Sequence, residues 1–236
     1  MTPAIQVFGV KIAGEFVKGD KVADRILAAC SEAGLELAGD DVVVVTHKVV
    51  SKAEGRVAEM ADGDWEARDA LIAAEGATFL RRNGSIAITK TRHGFVCASA
   101  GIDSSNVEPG KVTLLPLDPD RSARSIRSRL KRLAGVDVAV IVSDTFGRAW
   151  RIGQTNVAIG VAGMLPTVNY RDTSDSFGTV LKVTNVAIAD ELAGAAEMVM
   201  GKAEGVPAAV IRGAPIKRGR GRARDLVRPA HEDFFL

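Results

Sequence analysis

Residues 138–163 read VAVIVSDTFGRAWRIGQTNVAIGVAG, and this stretch decides what kind of molecule surrounds it. The apolar run 138–142 has the length of one buried strand. It breaks at once into Ser143, Asp144, Thr145, Phe146, Gly147 and Arg148, so a buried strand delivers a carboxylate and a hydroxyl to one rim of its sheet. Arg148, Arg151 and Gln154 follow and stand anion-binding groups beside an oxygen ligand. The run 157–163 is apolar and glycine-spaced again, as a second tightly packed strand would be. Polar chemistry concentrated between two buried strands reads as a site, not a linker.

Working outward, strands are expected at 5–10, 41–46, 86–89, 94–100, 112–117, 180–186 and 208–212. Helices are expected after a capping Asp20 (Val22, Ile26, Cys30 and Ala33 inward), over 65–80, over 121–134 (Ile126, Leu130 and Leu133 inward) and over 188–200. Residues 11–16, 100–107, 167–178 and 201–207 read as polar loops or turns, and 215–224 as a mobile Gly/Arg loop. Strands and helices mix without strict βαβ alternation, so the expected class is α+β with mixed sheets rather than a doubly wound fold. There is no internal repeat and no clear linker, which leaves one domain over 1–236 or two interlocked subdomains.

The totals exclude several classes. A chain of 236 residues with 47% hydrophobic and 25% charged residues can bury a substantial core. Aromatics are only 5%, so Val, Ala, Leu and Ile must fill it. A net charge of +2 carries no message about partners, although basic residues cluster at 121–132 and 217–224. Two cysteines, Cys30 and Cys97, suit a reducing compartment, and no apolar run approaches a membrane span or a signal peptide. A cytoplasmic protein is expected.

Asp103 and Asp144 each end a short apolar segment and are followed by hydroxyls or amides, as a hard divalent cation requires. Taken singly, each reads more readily as a capping or Asx-turn aspartate. Lys48 and Lys52, beside His47 at a strand's end, can neutralise polyphosphate, but lysines on surface turns are commonplace. Gly201-Lys202 ahead of Gly205 offers backbone N–H groups like a phosphate nest. No GxxxxGK[ST] or GxGxxG occurs, so any nucleotide site is of another kind. His47, His93 and His231 lack zinc spacing, and Cys97 reads as packing. The arginine-rich helix lacks base-stacking aromatics and reads as a solvated face, which makes nucleic acid a weak candidate partner.

The blocks SDTFGRAWRIGQTNVAIGVAG, GFVCASAGIDSSNV, VVSKAEG, ADELAGAAEMVMGKAEGVPAAVIRG and ARDLVRPAHEDFF together resemble the coenzyme F420-0:L-glutamate ligases, gamma-glutamyl ligases of deazaflavin cofactor biosynthesis. The resemblance runs the length of the chain and suggests the stand-alone form. It implies an unusual α+β fold, an intertwined homodimer and GTP-dependent amide formation between L-glutamate and coenzyme F420-0 through an acyl phosphate. Gamma-linked extension would follow. Mg²⁺ or Mn²⁺, two ions in all, is the implied metal, with K⁺ a further candidate. By motif position Asp103, Asp144 and Thr145 are implied metal ligands, and Asp103, Asp144 and Lys52 the catalytic residues.

The resemblance further implies nucleotide contacts from Ala13, Gly14, Glu15 and Phe16, where Ile-Ala-Gly-Glu replaces the family's frequent Gly-Leu-Pro-Glu. It adds His47, Lys48 and Lys52, then Asn106, then Met200, Gly201, Lys202, Ala203, Glu204, Gly205 and Val206. Lys202 stands where some members offer an amide or carboxylate to a second metal. Arg148, Arg151 and Tyr170 are the candidates for gripping substrate phosphodiester or carboxylate groups. Two rivals remain at this stage: a related amino-acid ligase acting on another acidic acceptor, and an RNA-binding module using the basic helix and Arg/Gly tail.

Overall fold

The computed structural model describes residues 4–234. The chain runs β1 (Gln6–Val10), α1 (Val22–Glu32), β2 (Val42–Thr46), α2 (His47–Glu54), β3 (Val57–Glu59) and α3 (Trp65–Ala74). Then come β4 (Thr78–Asn83), β5 (Ile86–Lys90), β6 (Val96–Ala98), β7 (Lys111–Thr113) and α4 (Pro119–Ala134). The remainder is β8 (Ala139–Arg148), β9 (Arg151–Ala162), β10 (Val168–Asn169), β11 (Asn185–Val186), α5 (Ile188–Met200) and β12 (Ala208–Arg212). The class is α+β with mixed sheets, as expected.

The main sheet has the order β1-β12-β2-β8-β9, and only β2 and β8 run parallel. Val42, Val43, Val44 and Val45 are all fully buried, so β2 is covered on both faces, which is why it reads as an unbroken apolar run. The helix α4, packed against α1, and the alanine-rich α5 supply that cover. The start of α4 is set locally: the Asp118 carboxylate accepts from the Arg121 amide, Pro119 occupies the first turn, and Gly135 closes the helix at φ +73°. Pro119 lies directly on Gly160 of β9, leaving no room there for a side chain.

A smaller second core gathers Met60, Ile72, Ala87, Ala100, Ile102, Val112 and Leu114 beneath the sheet β4-β5-β6, the pair β3-β7 and α3.

Several expectations are corrected. The segment 143–148 does not leave the sheet, because β9 pairs with it around the hairpin, with register shifts at Val142/Ser143 and Gly147/Arg148, and supplies the ladder partners its polar composition hid. The expected helix 65–80 ends at Ala74; Gly76 at φ +67° breaks it, and Phe79 belongs to β4. An unforeseen helix, α2, follows β2 and stops at Gly55 in the left-handed region. Of the expected strand 180–186 only Asn185–Val186 is strand, and of 112–117 only the start, within Lys111–Thr113. Asp20 does not cap α1; its carboxylate takes the Val17 amide and the Arg25 guanidinium instead.

Ala33 lies beyond α1 and is exposed, and Leu133 is 45% exposed rather than inward. The Gly/Arg segment 215–224 is tied to the core. Arg218 bonds the carbonyls of Gly39 and Asp137, Gly221 N bonds Met164 O, and Ala223 N bonds Asp120. The resemblance block that closes the chain ends on Phe235, outside the described residues.

Candidate functional site

The parallel pairing of β2 with β8 creates the site. It sets Thr46, the last residue of β2, opposite Ser143 in mid-β8, so the end of one buried strand opens beside the next residues of the other, with His47 next to Asp144. Ligands of sheet proteins bind at such strand ends. Because α2 begins at once, Lys48 and Lys52 fall four residues apart on one helical face and point together into a cavity of about 370 Å³.

Five other segments close that cavity. Gly14, Glu15 and Phe16 line one wall, and Asp144, Thr145 and Asn156 the floor. Met200, Gly201, Lys202, Gly205 and Val206 form the turn between α5 and β12, and Asn106 reaches in from the 103–106 turn. Gly201 and Gly205 both have positive φ, and Asn106 stands at +55°. The Asn106 amide holds the far turn by donating to Lys202 O at 3.2 Å.

The site is strongly charged. Lys48 Nζ lies 2.8 Å from Asp103 Oδ2 and 2.7 Å from Ser105 Oγ. Burial works to raise the Asp103 carboxyl, but the Lys48 ammonium and the Ser105 amide together outweigh it and hold it below its ordinary value. Lys52 pairs with Glu15 at 2.5 Å. His47 is fully buried; its Nε2 is 3.2 Å from Asp144 Oδ1 yet has no well-directed hydrogen-bond partner, and Nδ1 is 3.3 Å from Ser51 Oγ. Cys97 is buried inert packing, its thiol pushed up to about 12 by burial and by the Asp144 charge.

The sequence-derived residues divide into three groups. Gly14, Glu15, Phe16, Lys48, Lys52, Asn106, Asp144, Thr145, Met200, Gly201, Lys202, Gly205 and Val206 line the one cavity. Asp103 stands behind Lys48, and His47 behind Asp144, while Ala13, Ala203 and Glu204 flank the lining segments without facing in. Arg148, Arg151 and Tyr170 are elsewhere: Arg148 folds back onto Ile152 O at 2.7 Å at the β8–β9 hairpin tip, Arg151 is exposed beside it, and Tyr170 lies on the 170–184 loop. They do not line this cavity.

Sequence reasoning missed Arg25. Its guanidinium donates to Ala13 O (2.5 Å), Gly14 O (2.9 Å) and Glu15 O (2.7 Å) and lies 3.7 Å over the Phe16 ring, so it shapes the whole first wall. Its place on an amphipathic helix gave no signal. Asn156, which accepts the Thr145 hydroxyl at 2.6 Å, was missed as well, although it sits in the quoted central stretch.

A divalent cation suits the Asp144 end. Asp144 is 8% exposed, faces the cavity, and among the described residues has no lysine or arginine in ion-pair range. A buried carboxylate in that state calls for a cation. No cluster of three His, Cys, Asp or Glu side chains able to hold a metal occurs among the described residues, so ligand oxygens would have to complete the shell. Thr145 does not suit it as well, since its oxygen already accepts from Lys202 Nζ at 2.7 Å.

Comparison with known proteins bears on this arrangement. The family model described as F420-0:Gamma-glutamyl ligase matches residues 11–213. The chain is similar to the Coenzyme F420:L-glutamate ligase of Methanothermobacter thermautotrophicus, 41% identical over 98% of this chain and 97% of the relative. It is also 41% identical to the enzyme of that name from Methanocaldococcus jannaschii, over 83% of this chain and 84% of the relative. The Methanopyrus kandleri ligase is 39% identical over 99% and 98% respectively.

Proposed function

The chain belongs to the F420-0:gamma-glutamyl ligase family, and from that membership and the cavity we propose that it joins L-glutamate to coenzyme F420-0 at the expense of GTP. The observation that carries the reading is a buried carboxylate, Asp144, facing a lysine-flanked cavity with His47 behind it and, among the described residues, no lysine or arginine in ion-pair range.

A carboxylate resists attack by an amine until one oxygen becomes part of a leaving group. In the proposed reaction an oxygen of the acceptor carboxylate attacks the γ-phosphorus of GTP, the bond to the β-phosphate oxygen breaks, and GDP leaves. The glutamate α-amine then attacks the acyl carbon, the bond to the phosphoryl oxygen breaks, and phosphate departs as the amide forms. Lys48 and Lys52 neutralise phosphate charge, with Lys52 exchanging its Glu15 partner for an anionic oxygen. The positive-φ turn from Gly201 to Gly205 presents backbone N–H groups to the same polyphosphate. A divalent cation held by Asp144 would supply charge neutralisation on the phosphates, with Asp103 holding the Lys48 ammonium beside them.

A homodimer accords with large apolar side chains left in solvent. At the hairpin tip Trp150 is 85% and Ile152 99% exposed, and Phe177 on the 170–184 loop is 93% exposed. A second copy would cover them.

The test is Asp144→Asn, which keeps shape and removes charge. GTP-dependent formation of the glutamylated product, followed by mass spectrometry, should fall by at least about 10²-fold, with the circular dichroism spectrum unchanged. Full turnover in that variant would remove Asp144 from the chemistry, and product formed only with a different acidic acceptor would reassign the substrate.

A further inference from the structure

We propose that Lys202 is a tethered cation occupying the place of a metal ion at Thr145, so that each active site of this chain takes one divalent cation, at its Asp144 end. The inference rests on the nucleotide-and-metal reading given above.

The ammonium is built in. Gly201 ends α5 at φ +58°, ψ −160°, a conformation only glycine adopts comfortably, and this throws the next residue back over the cavity. The Lys202 carbonyl is anchored by Asn106, and its Nζ is held between Glu197 of α5 and Thr145 Oγ1. The Thr145 hydroxyl gives its single proton to Asn156 Oδ1 at 2.6 Å, and one of its two lone pairs accepts from Lys202 at 2.7 Å. A divalent ion bound to that same oxygen would stand roughly 4–5 Å from the ammonium, within the range where like charges disfavour one another. Glu197, whose Oε2 is buried without a hydrogen-bond partner, has an oxygen to spare. Replacing the ammonium by an amide would leave Glu197, Thr145 and the amide carbonyl as oxygen ligands about one hole, which is the donor type a hard cation takes.

The experiment is calorimetric titration of Mn²⁺ into the full chain with GDP present, for the parent protein, Lys202→Gln and Lys202→Met. One Mn²⁺ per chain is expected for the parent and for Lys202→Met, and two for Lys202→Gln. Two Mn²⁺ in the parent protein, or one in Lys202→Gln, would overturn the inference while leaving the ligase reading intact. A parent protein that takes up neither GDP nor Mn²⁺ would overturn both. Lys202 is 56% exposed, so both variants should melt like the parent, and that is measured first.

Discussion

Replacing Arg25 by alanine should loosen the 13–16 wall of the cavity without touching any residue that lines it. In the structure this one guanidinium bonds three consecutive carbonyls, those of Ala13, Gly14 and Glu15, and lies over Phe16. Three such bonds at roughly 1.5 kcal/mol each amount to about 4–5 kcal/mol. The bonds lie at the surface, so water replaces part of that, and about 2 kcal/mol of loop ordering should be lost. If binding must then restore the order, nucleotide affinity falls by about 30-fold.

Lysine at the position cannot span the fork and should recover one bond at most, leaving an intermediate loss. Global stability should fall by no more than that loss of loop ordering, since the Arg25–Asp20 pair is part-exposed and adds little. The assay is a fluorescence titration with a labelled GTP analogue, alongside hydrogen exchange at residues 13–16. Affinity within about twofold of the parent, with exchange at the loop unchanged, would refute the idea that Arg25 orders that wall.

Two further outcomes follow from the same structure. Gly160→Ala drives a methyl into the Pro119 carbonyl, where backbone faces backbone and neither can rotate away. A loss of about 1–3 kcal/mol is expected, read as a lower denaturant midpoint; an unchanged midpoint would mean that α4 can shift freely on β9. The second outcome concerns pH. The folded Asp103 carboxyl lies below its ordinary 3.8, so its ion pair stabilises the fold above that value and the contribution is lost as pH falls through the depressed folded value. The stability difference between the parent and Asp103→Asn should therefore be constant from neutral pH down to about pH 5 and shrink only in stronger acid. A difference that disappears near neutrality would show that Lys48 does not hold the carboxylate.

Much of the fold was legible because burial leaves a period in the sequence. The unbroken apolar runs of β2 and of the start of β8 announced buried strands, and the spacing of Ile126 and Leu130 marked α4. Legibility failed where the partner, not the segment, supplies the structure. Residues 143–148 stay in the sheet only because β9 runs beside them, and 215–224 lies down because Asp120, Gly39 and Met164 offer it bonds from far away in the chain. The helix α2 escaped notice because eight residues without a capping side chain leave too weak a local trace.

The sequence by itself determined the class of fold, the family and the inventory of charged and oxygen-bearing residues, since periodicity and motif order are properties of the chain alone. Only the tertiary structure decided which of them meet. The parallel pairing of β2 and β8 brought His47 to Asp144, the helical turn from Lys48 to Lys52 aimed two ammoniums into one cavity, and the glycine at 201 carried Lys202 onto Thr145. It also left Arg148, Arg151 and Tyr170 outside that cavity. A spacing along the polymer says nothing about distance through space until the pairing of strands has been set, and here that pairing joins residues about a hundred positions apart.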